Sequence, residues 1–514
     1  MPNQAIVIMT DSQRYDMVGC YKYPSVHTPF LDAFSETALR FERAYTTQPV
    51  CGPARSAIFT GLYPHSNGSW TNSVALFENA KTIGQRLALN GVHTAFIGKW
   101  HLDGGDYFGL GRCPDGWDPE YWYDMKTYLT ELSEEERVLS RNGAIVDRPE
   151  GVEREFTFGA RCTMRALDFI EKHREEDYLL VVSYDEPHDP ALCPKPYPEI
   201  FRDYEFPRSK NVDDTLEGKP SVQKTWAGEG LNRKAPEKLS GDGLRHFLGC
   251  NSFADSEIGR VLKAVDEYAK DALVLYTSDH GDAISSHRLS GKGPCLYDEI
   301  ARIPFMLRWP GLTSPGSVHR PPVSHIDITP TLLDFFGLPE AHWIEGKSLR
   351  RIFSPDYTPS PVFMEFGRYE VDHDGFGGFQ PLRGVFDGRY KLTINLLCED
   401  ELYDLEKDPE EMINQIENPE YFDIRDDLHD QLLDWMNETR DPFRGYWWER
   451  RTWRTDALPA TWDYTCMTRQ REHEEFEPRQ LDYMTGLEME TATRVKGYSG
   501  EPPKRKKRKA PCES

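Results

Sequence analysis

Four short apolar runs, Ala5–Met9, Val92–Ile97, Tyr178–Tyr184 and Ala272–Thr277, punctuate the first three quarters of the chain, and helical patterns separate them. Thr28-Pro29 opens an amphipathic stretch carrying Phe30, Leu31, Phe34 and Ala38; a second helix near Ile83–Leu89 stops at Asn90-Gly91; a third spans Phe253–Tyr268. Apolar runs of this length without polar alternation read as strands covered on both faces. Their alternation with helices predicts βαβ units, hence an α/β fold with a large, mostly parallel sheet flanked by helices.

Polar residues with chemical potential follow those runs. Asp11 comes after the first, Lys99 and His101 after the second, His188 after the third, and Asp279 and His280 after the fourth. Open α/β sheets bind ligands in the crevice at the carboxyl ends of their strands, which predicts that these residues meet.

At 514 residues the chain exceeds the usual size of a single core. The expected division is a catalytic α/β domain over 1–380, a smaller α+β domain over 381–452 and a C-terminal extension over 453–514. The smaller domain is read from the strands Leu382–Phe386 and Tyr390–Leu396, joined at Asp387-Gly388, and from a helix carrying Ile424, Leu428, Leu432, Leu433 and Met436. Between Tyr197 and Gly249 the sequence turns polar without a clear period, which predicts a long excursion covering the site.

Cys51-Gly52-Pro53-Ala54-Arg55, completed by Thr60-Gly61, places a cysteine and an arginine on a turn that opens a helix. Pro53 suits the first helical turn, and the positive helix end favours an anion beside Cys51. The pattern C-x-P-x-R-x-x-x-x-T-G resembles the signature of type I sulfatases, members of the alkaline phosphatase superfamily, in which a maturation enzyme oxidises the cysteine to formylglycine. Gly98-Lys99-Trp100-His101 resembles the family's G-K-W-H segment, Thr277-Ser278-Asp279-His280-Gly281 its second metal-binding cluster, and Asp11 its first metal-binding aspartate. Pro187-His188 is similar to the family's leaving-group histidine segment, and Lys292 stands where a second sulfate-contacting lysine follows the Asp-His pair. The resemblance covers about Ala5–Asp408 and is nearest to bacterial cytoplasmic sulfatases of unassigned substrate.

The resemblance implies hydrolysis of a small sulfate monoester, a sulfated sugar or aryl sulfate, through the hydrate of formylglycine at position 51. It implies a divalent metal held by Asp11, Ser12, residue 51, Asp279 and His280, with Ca²⁺ expected and Mg²⁺ or Mn²⁺ as alternatives. Asp279 assists deprotonation of the hydrate, Lys99 and Lys292 neutralise the sulfuryl oxygens, His188 protonates the leaving alcohol, His101 takes the remaining hydroxyl proton, and Arg55 orients residue 51. One departure stands out: Ser12, followed by Gln13, occupies the place of the family's second carboxylate or amide, which leaves a hydroxyl contact, an inward swing of Gln13, or another residue to complete the shell. Two alternatives stay open, a phosphonate or phosphodiester hydrolase of the same superfamily and an anion-binding pseudoenzyme. Ser324-His325-Ile326-Asp327 and Glu401-Leu402-Tyr403-Asp404 read as structural.

The net charge of −24 argues against nucleic acid as a partner and demands a locally positive pocket for an anionic substrate. No apolar run approaches the ~20 residues that span a bilayer, and the start lacks a secretory pattern. Ten scattered cysteines without paired spacing fit reduced thiols, so a cytoplasmic protein is expected, with a maturation enzyme and a small sulfated substrate as partners. The tail Lys504–Lys509 carries six consecutive cations and reads as a solvated end. Candidate selectivity segments are 65–70, 103–123, 197–249 and 366–377.

Overall fold

The computed structural model describes residues 2–457 apart from 73, 105–106, 142–150, 340–342 and 371–377. The basic tail, most of the predicted extension and most of the 366–377 segment lie outside the described residues. Two compact units divide the chain, Met1–Asn414 and Gln415–Ser514.

In the first unit the strands are β1 (Gln4–Thr10), β2 (Leu39–Phe41), β3 (Ala44–Tyr45), β4 (His93–Gly98), β5 (Tyr178–Ser183), β6 (Leu273–Ser278), β7 (Arg302–Ile303), β8 (Phe305–Arg308), β9 (Val318–His319), β10 (Val323–Ser324), β11 (Val362–Arg368), β12 (Phe379–Phe386), β13 (Tyr390–Asn395) and β14 (Glu401–Asp404). A seven-stranded sheet runs in the order β4-β5-β1-β6-β8-β2-β9. Its pairs are parallel except those made by β8, which opposes both β6 and β2. The mostly parallel sheet predicted from the apolar runs is thus the observed one.

Successive side chains along a strand point to opposite faces, and both faces here are covered. Ile6, Ile8, Leu180, Val182, Val274 and Tyr276 pack on one side with residues of the helices Pro29–Ser35, Phe158–Lys172 and Asp242–Tyr268. Ala5, Val7, Phe96, Leu179, Val181 and Leu275 pack on the other with residues of Cys51–Thr60, Ile83–Ala88 and Ile328–Phe335. Burial of this kind contributes roughly 25 cal/mol per Å² of apolar surface, which explains why these strands read so plainly.

Local rules set the helix ends. Thr82 and Gln85 form a capping box at the start of Ile83–Ala88. Thr28 does not cap the first helix with its side chain; Asp255 does, accepting from the N–H groups of Phe30 and Leu31 at 3.1 and 2.8 Å. The helix predicted over Phe253–Tyr268 begins eleven residues earlier, at Asp242, inside the excursion, which also carries Tyr197–Ile200 and Ser221–Ala227.

The predicted hairpin is β12–β13, with Gly388 at φ 110° in its turn. With β11 and β14 it forms a four-stranded antiparallel sheet whose Met364, Phe366, Leu382 and Phe386 pack with Tyr45 and Val50, the residue before Cys51. His325 and Asp327 are structural, as read: His325 Nε2 accepts from Thr47 N–H at 2.9 Å and Asp327 from Lys347 N–H at 2.8 Å. In the second unit the helix Phe422–Glu438 buries Leu428, Leu432, Leu433 and Met436.

Candidate active site

The loops at the carboxyl ends of β1, β4, β5 and β6, four adjacent strands, meet the start of the helix Cys51–Thr60. Asp11 follows β1, Lys99 follows β4, Asp185 lies just past β5 and Asp279-His280 follows β6. Gly98 makes the turn into Lys99 possible: its φ is +124°, and a Cβ there would come within 1.9 Å of Ser183 O.

Arg55, with no solvent exposure, ties the cluster together. Its Nε donates to Asp279 Oδ2 at 3.0 Å, Nη2 to Asp11 Oδ2 at 3.1 Å, and Nη1 to Lys99 O and Ser183 Oγ at 2.6 and 2.7 Å. Lys99 Nζ bridges Asp11 Oδ2 at 2.8 Å and Asp185 Oδ1 at 3.0 Å. The opposite oxygen of Asp11 faces the cysteine: Cys51 Sγ is 3.7 Å from Asp11 Oδ1 and 3.2 Å from His280 Nε2. His280 Nδ1 donates to Gly281 O at 2.8 Å, so the Nε2 lone pair points into the cluster.

Asp11, Cys51, Asp279 and His280 therefore offer one donor atom each, all within 4.8 Å of one another and all buried. Two carboxylates and an imidazole suit a hard divalent cation. The electrostatics agree. Burial and the neighbouring Asp11 push the Asp279 carboxyl up to about 6, whereas for Asp11 burial is overcome by Lys99 and its pKa falls well below the carboxylate range. Burial and Asp11 raise the Cys51 thiol, yet Lys292, Lys99 and His280 prevail and hold it well below its ordinary value.

Ser12 adopts a left-handed φ of 62° and spans the carboxylates, its Oγ donating to Asp11 Oδ1 at 2.8 Å and its N–H to Asp279 Oδ1 at 3.2 Å. Gln13 is held elsewhere: its Oε1 accepts from Thr10 Oγ1 and Tyr276 Oη, and its Nε2 donates to Asn251. An inward swing of Gln13 would break all three bonds.

Two of the remaining predicted residues, His101 and Lys292, lie beside Cys51. His101 adopts φ 58°, and burial lowers its pKa. Lys292 is carried back toward the cluster by a loop closed by the Ala283 N–H, which donates to Gly291 O at 2.8 Å; burial lowers its pKa, but Cys51 outweighs it and keeps the ammonium charged. His188 is half-buried, and its Nδ1 donates to Asp189 O at 2.9 Å, with Tyr107 Oη at 3.1 Å. Three neighbours were not read from the sequence. Asp185 obeys the strand-end rule that found His188, but Tyr107, which donates to Asp185, and Asn72, whose Oδ1 accepts from Gly52 N–H at 2.9 Å, sit on loops without a distinguishing pattern.

Glu186, next to Asp185, supplies a pH test. Burial and then Asp185 raise its pKa from 4.5 to about 8, its Oε1 accepts from Gly159 N–H at 2.8 Å, and Oε2 is buried without a partner. A raised folded-state pKa gives stability that is complete below the unfolded value and lost as pH climbs through the folded one. Glu186→Gln, neutral at every pH, is therefore expected to gain stability relative to wild type as pH rises from about 5 to 8. Thermal melts across that range check it, and a pH-independent difference would contradict the buried neutral carboxyl.

A family profile described as Sulfatase matches residues 3–338, and one described as N-sulphoglucosamine sulphohydrolase, C-terminal, matches 287–438. With the fold and the site together, the chain belongs to the sulfatase family and is a sulfuric ester hydrolase of alkaline phosphatase-like architecture. It is 41% identical over 494 residues to the uncharacterized sulfatase YidJ of Escherichia coli (strain K12), covering 94% of this chain and 96% of that one. It is 26% identical over 442 residues to choline-sulfatase of Rhizobium meliloti (strain 1021), with 80% and 82% covered. Among solved structures it matches a protein in complex with its substrate D-glucosamine-2-N,6-O-disulfate at a TM-score of 0.68 and 21% identity, covering 86% and 99% of the chains. It also matches the phosphonate monoester hydrolase of Agrobacterium radiobacter at 0.70 and 21%, covering 84% and 95%.

Proposed function

We propose that the protein hydrolyses a small sulfate monoester, a sulfated sugar or aryl sulfate, using formylglycine derived from Cys51 by a maturation enzyme. The observation that carries this reading is the 3.2 Å approach of Cys51 Sγ to His280 Nε2 inside a buried pair of aspartates crossed by Arg55 and Lys99. Asp11, Asp279 and His280, with Ser12 and residue 51, hold a divalent metal, Ca²⁺ by donor chemistry. When present, the metal and the formylglycine hydrate supply a charged Lewis-acid centre and an oxygen nucleophile. The chain's own residues do the rest. Lys99 and Lys292 offset the negative charge of the sulfuryl oxygens in a site where such preorganised charge acts strongly. Asp279, with its raised pKa, accepts a proton at the residue-51 position; His101 accepts the second. His188, fixed through Nδ1, presents Nε2 as the donor to the leaving oxygen. Arg55 locks both aspartates at the start of the helix.

In this reading the chemistry resides within 1–380, and the cytoplasm is the working compartment, in keeping with cysteines that are thiols among the described residues. No described helix is long and apolar enough to cross a membrane. Hydrolysis of a panel of sulfated monosaccharides and aryl sulfates tests the reading. A second reading, phosphonate monoester hydrolysis, is favoured by the fold match at a TM-score of 0.70. Matched nitrophenyl sulfate and phenylphosphonate esters separate the two, and a higher kcat/KM for the phosphonate would overturn the first.

The metal assignment makes its own prediction. Asp279→Asn removes a charge and an acceptor, and is expected to lower kcat by more than the roughly 10–100-fold that loss of a supporting partner costs at metal sites. Metal content should fall in parallel, measured by elemental analysis; full activity in metal-free protein would refute the assignment.

A further inference from the structure

At the amino ends of β4 and β5, away from the site above, His93, His173 and Glu176 offer donor atoms within 4.8 Å of one another. Their outer nitrogens already have partners. His93 Nε2 lies 2.7 Å from Asp118 Oδ2, an acceptor, so that nitrogen carries the hydrogen. Tyr121 donates its hydroxyl hydrogen to Asp168 at 3.3 Å, so its oxygen accepts from His173 Nε2 at 3.2 Å. Each ring therefore turns its Nδ1 inward. Those two nitrogens face the two oxygens of one carboxylate, His93 Nδ1 at 3.0 Å from Glu176 Oε2 and His173 Nδ1 at 3.0 Å from Glu176 Oε1.

Glu176 thus has one imidazole on each oxygen, and the two rings stand edge to face with centroids 4.5 Å apart. A divalent ion among the three donors would take the place of the hydrogens that bridge them. Backbone bonds preset the donors: His93 N–H donates to Asp177 O at 3.0 Å, Glu176 N–H to His173 O at 2.9 Å, and Asp118 N–H to Thr94 O at 2.8 Å. Histidines that donate one nitrogen to a carboxylate or a hydroxyl while presenting the other are the usual arrangement of metal ligands.

We propose that His93, His173 and Glu176 form a second cation site that takes a transition metal of the zinc class rather than calcium, because two imidazoles dominate its donor set. Asp118 and Tyr121 orient the rings. The site clips the end of the helix Phe158–Lys172 to the first residue of β4, roughly 17 Å along that strand from Gly98 at about 3.3 Å per residue. Bound ion adds to stability by mass action.

Full-length protein is titrated with Zn²⁺ in excess Ca²⁺, using Asp279→Asn to remove competition from the first site. The expected result is one tightly held Zn²⁺ per chain in Asp279→Asn, absent when Glu176→Gln or His173→Gln is added, and a Zn²⁺-dependent rise in melting temperature lost in the same variants. X-ray absorption of the zinc-loaded Asp279→Asn protein, which needs no ligand variant to fold, should show two imidazoles. An all-oxygen shell, or equal zinc binding with and without Glu176 and His173, overturns the proposal.

Discussion

Cys51→Ala protein, made in a host that matures the wild type, is expected to lose turnover by on the order of 10⁴–10⁶-fold, the scale on which removal of a covalent nucleophile acts. Only the reactive end of a residue 1% exposed is removed, so the fold and the charged surroundings from Lys99, Lys292 and Arg55 remain. Binding of inorganic sulfate, followed by calorimetry, should persist. Peptide mass spectrometry of active wild-type protein should find formylglycine at position 51; a wholly unmodified thiol in active enzyme would sink the mechanism.

His188→Ala gives the second large effect, visible as a contrast rather than a uniform loss. With sugar or alkyl sulfates, whose alcohols leave poorly, kcat/KM should fall by on the order of 10²–10⁴-fold, the usual value of general acid catalysis. With nitrophenyl sulfate, whose phenol needs little protonation, the fall should be much smaller. Equal losses for both substrates would mean that the ring positions substrate instead. Tyr107→Phe separates orientation from proton donation: Nδ1 keeps its bond to Asp189 O, so a leaving-group contrast should appear but stay smaller than that of His188→Ala.

Much of the sheet was legible because β1, β4, β5 and β6 are buried on both faces, which leaves continuous apolar runs. The start of the helix at Asp242 was not, because Gly241, Gly243, Arg245 and His246 give its first turns the look of a loop, although Leu244, Phe247 and Leu248 stand at helical spacing and pack together. In the site, residues on strand ends or in dense motifs were readable: Asp11, Cys51, Arg55, Lys99, Asp279 and His280 converge. Tyr107 and Asn72 were not, since their positions depend on where loops fold back and not on local pattern. Ser12 shows a different limit. A departure from the family pattern was plain in sequence, but that its hydroxyl and amide would brace both aspartates required coordinates.

The order β4-β5-β1-β6 carries a consequence for timing. β1 and Cys51 leave the ribosome early, whereas β6, which pairs with β1 and delivers Asp279 and His280, follows more than two hundred residues later. Until then β1 keeps an open edge and the thiol has no wall around it. Once the sheet closes, Cys51 is sealed at 1% exposure. On the proposed reading, a maturation enzyme reaches residue 51 only before this closure. Protein that closes unmodified would stay inactive, so the active fraction of a preparation would report a race between folding and maturation, not only the health of the finished fold.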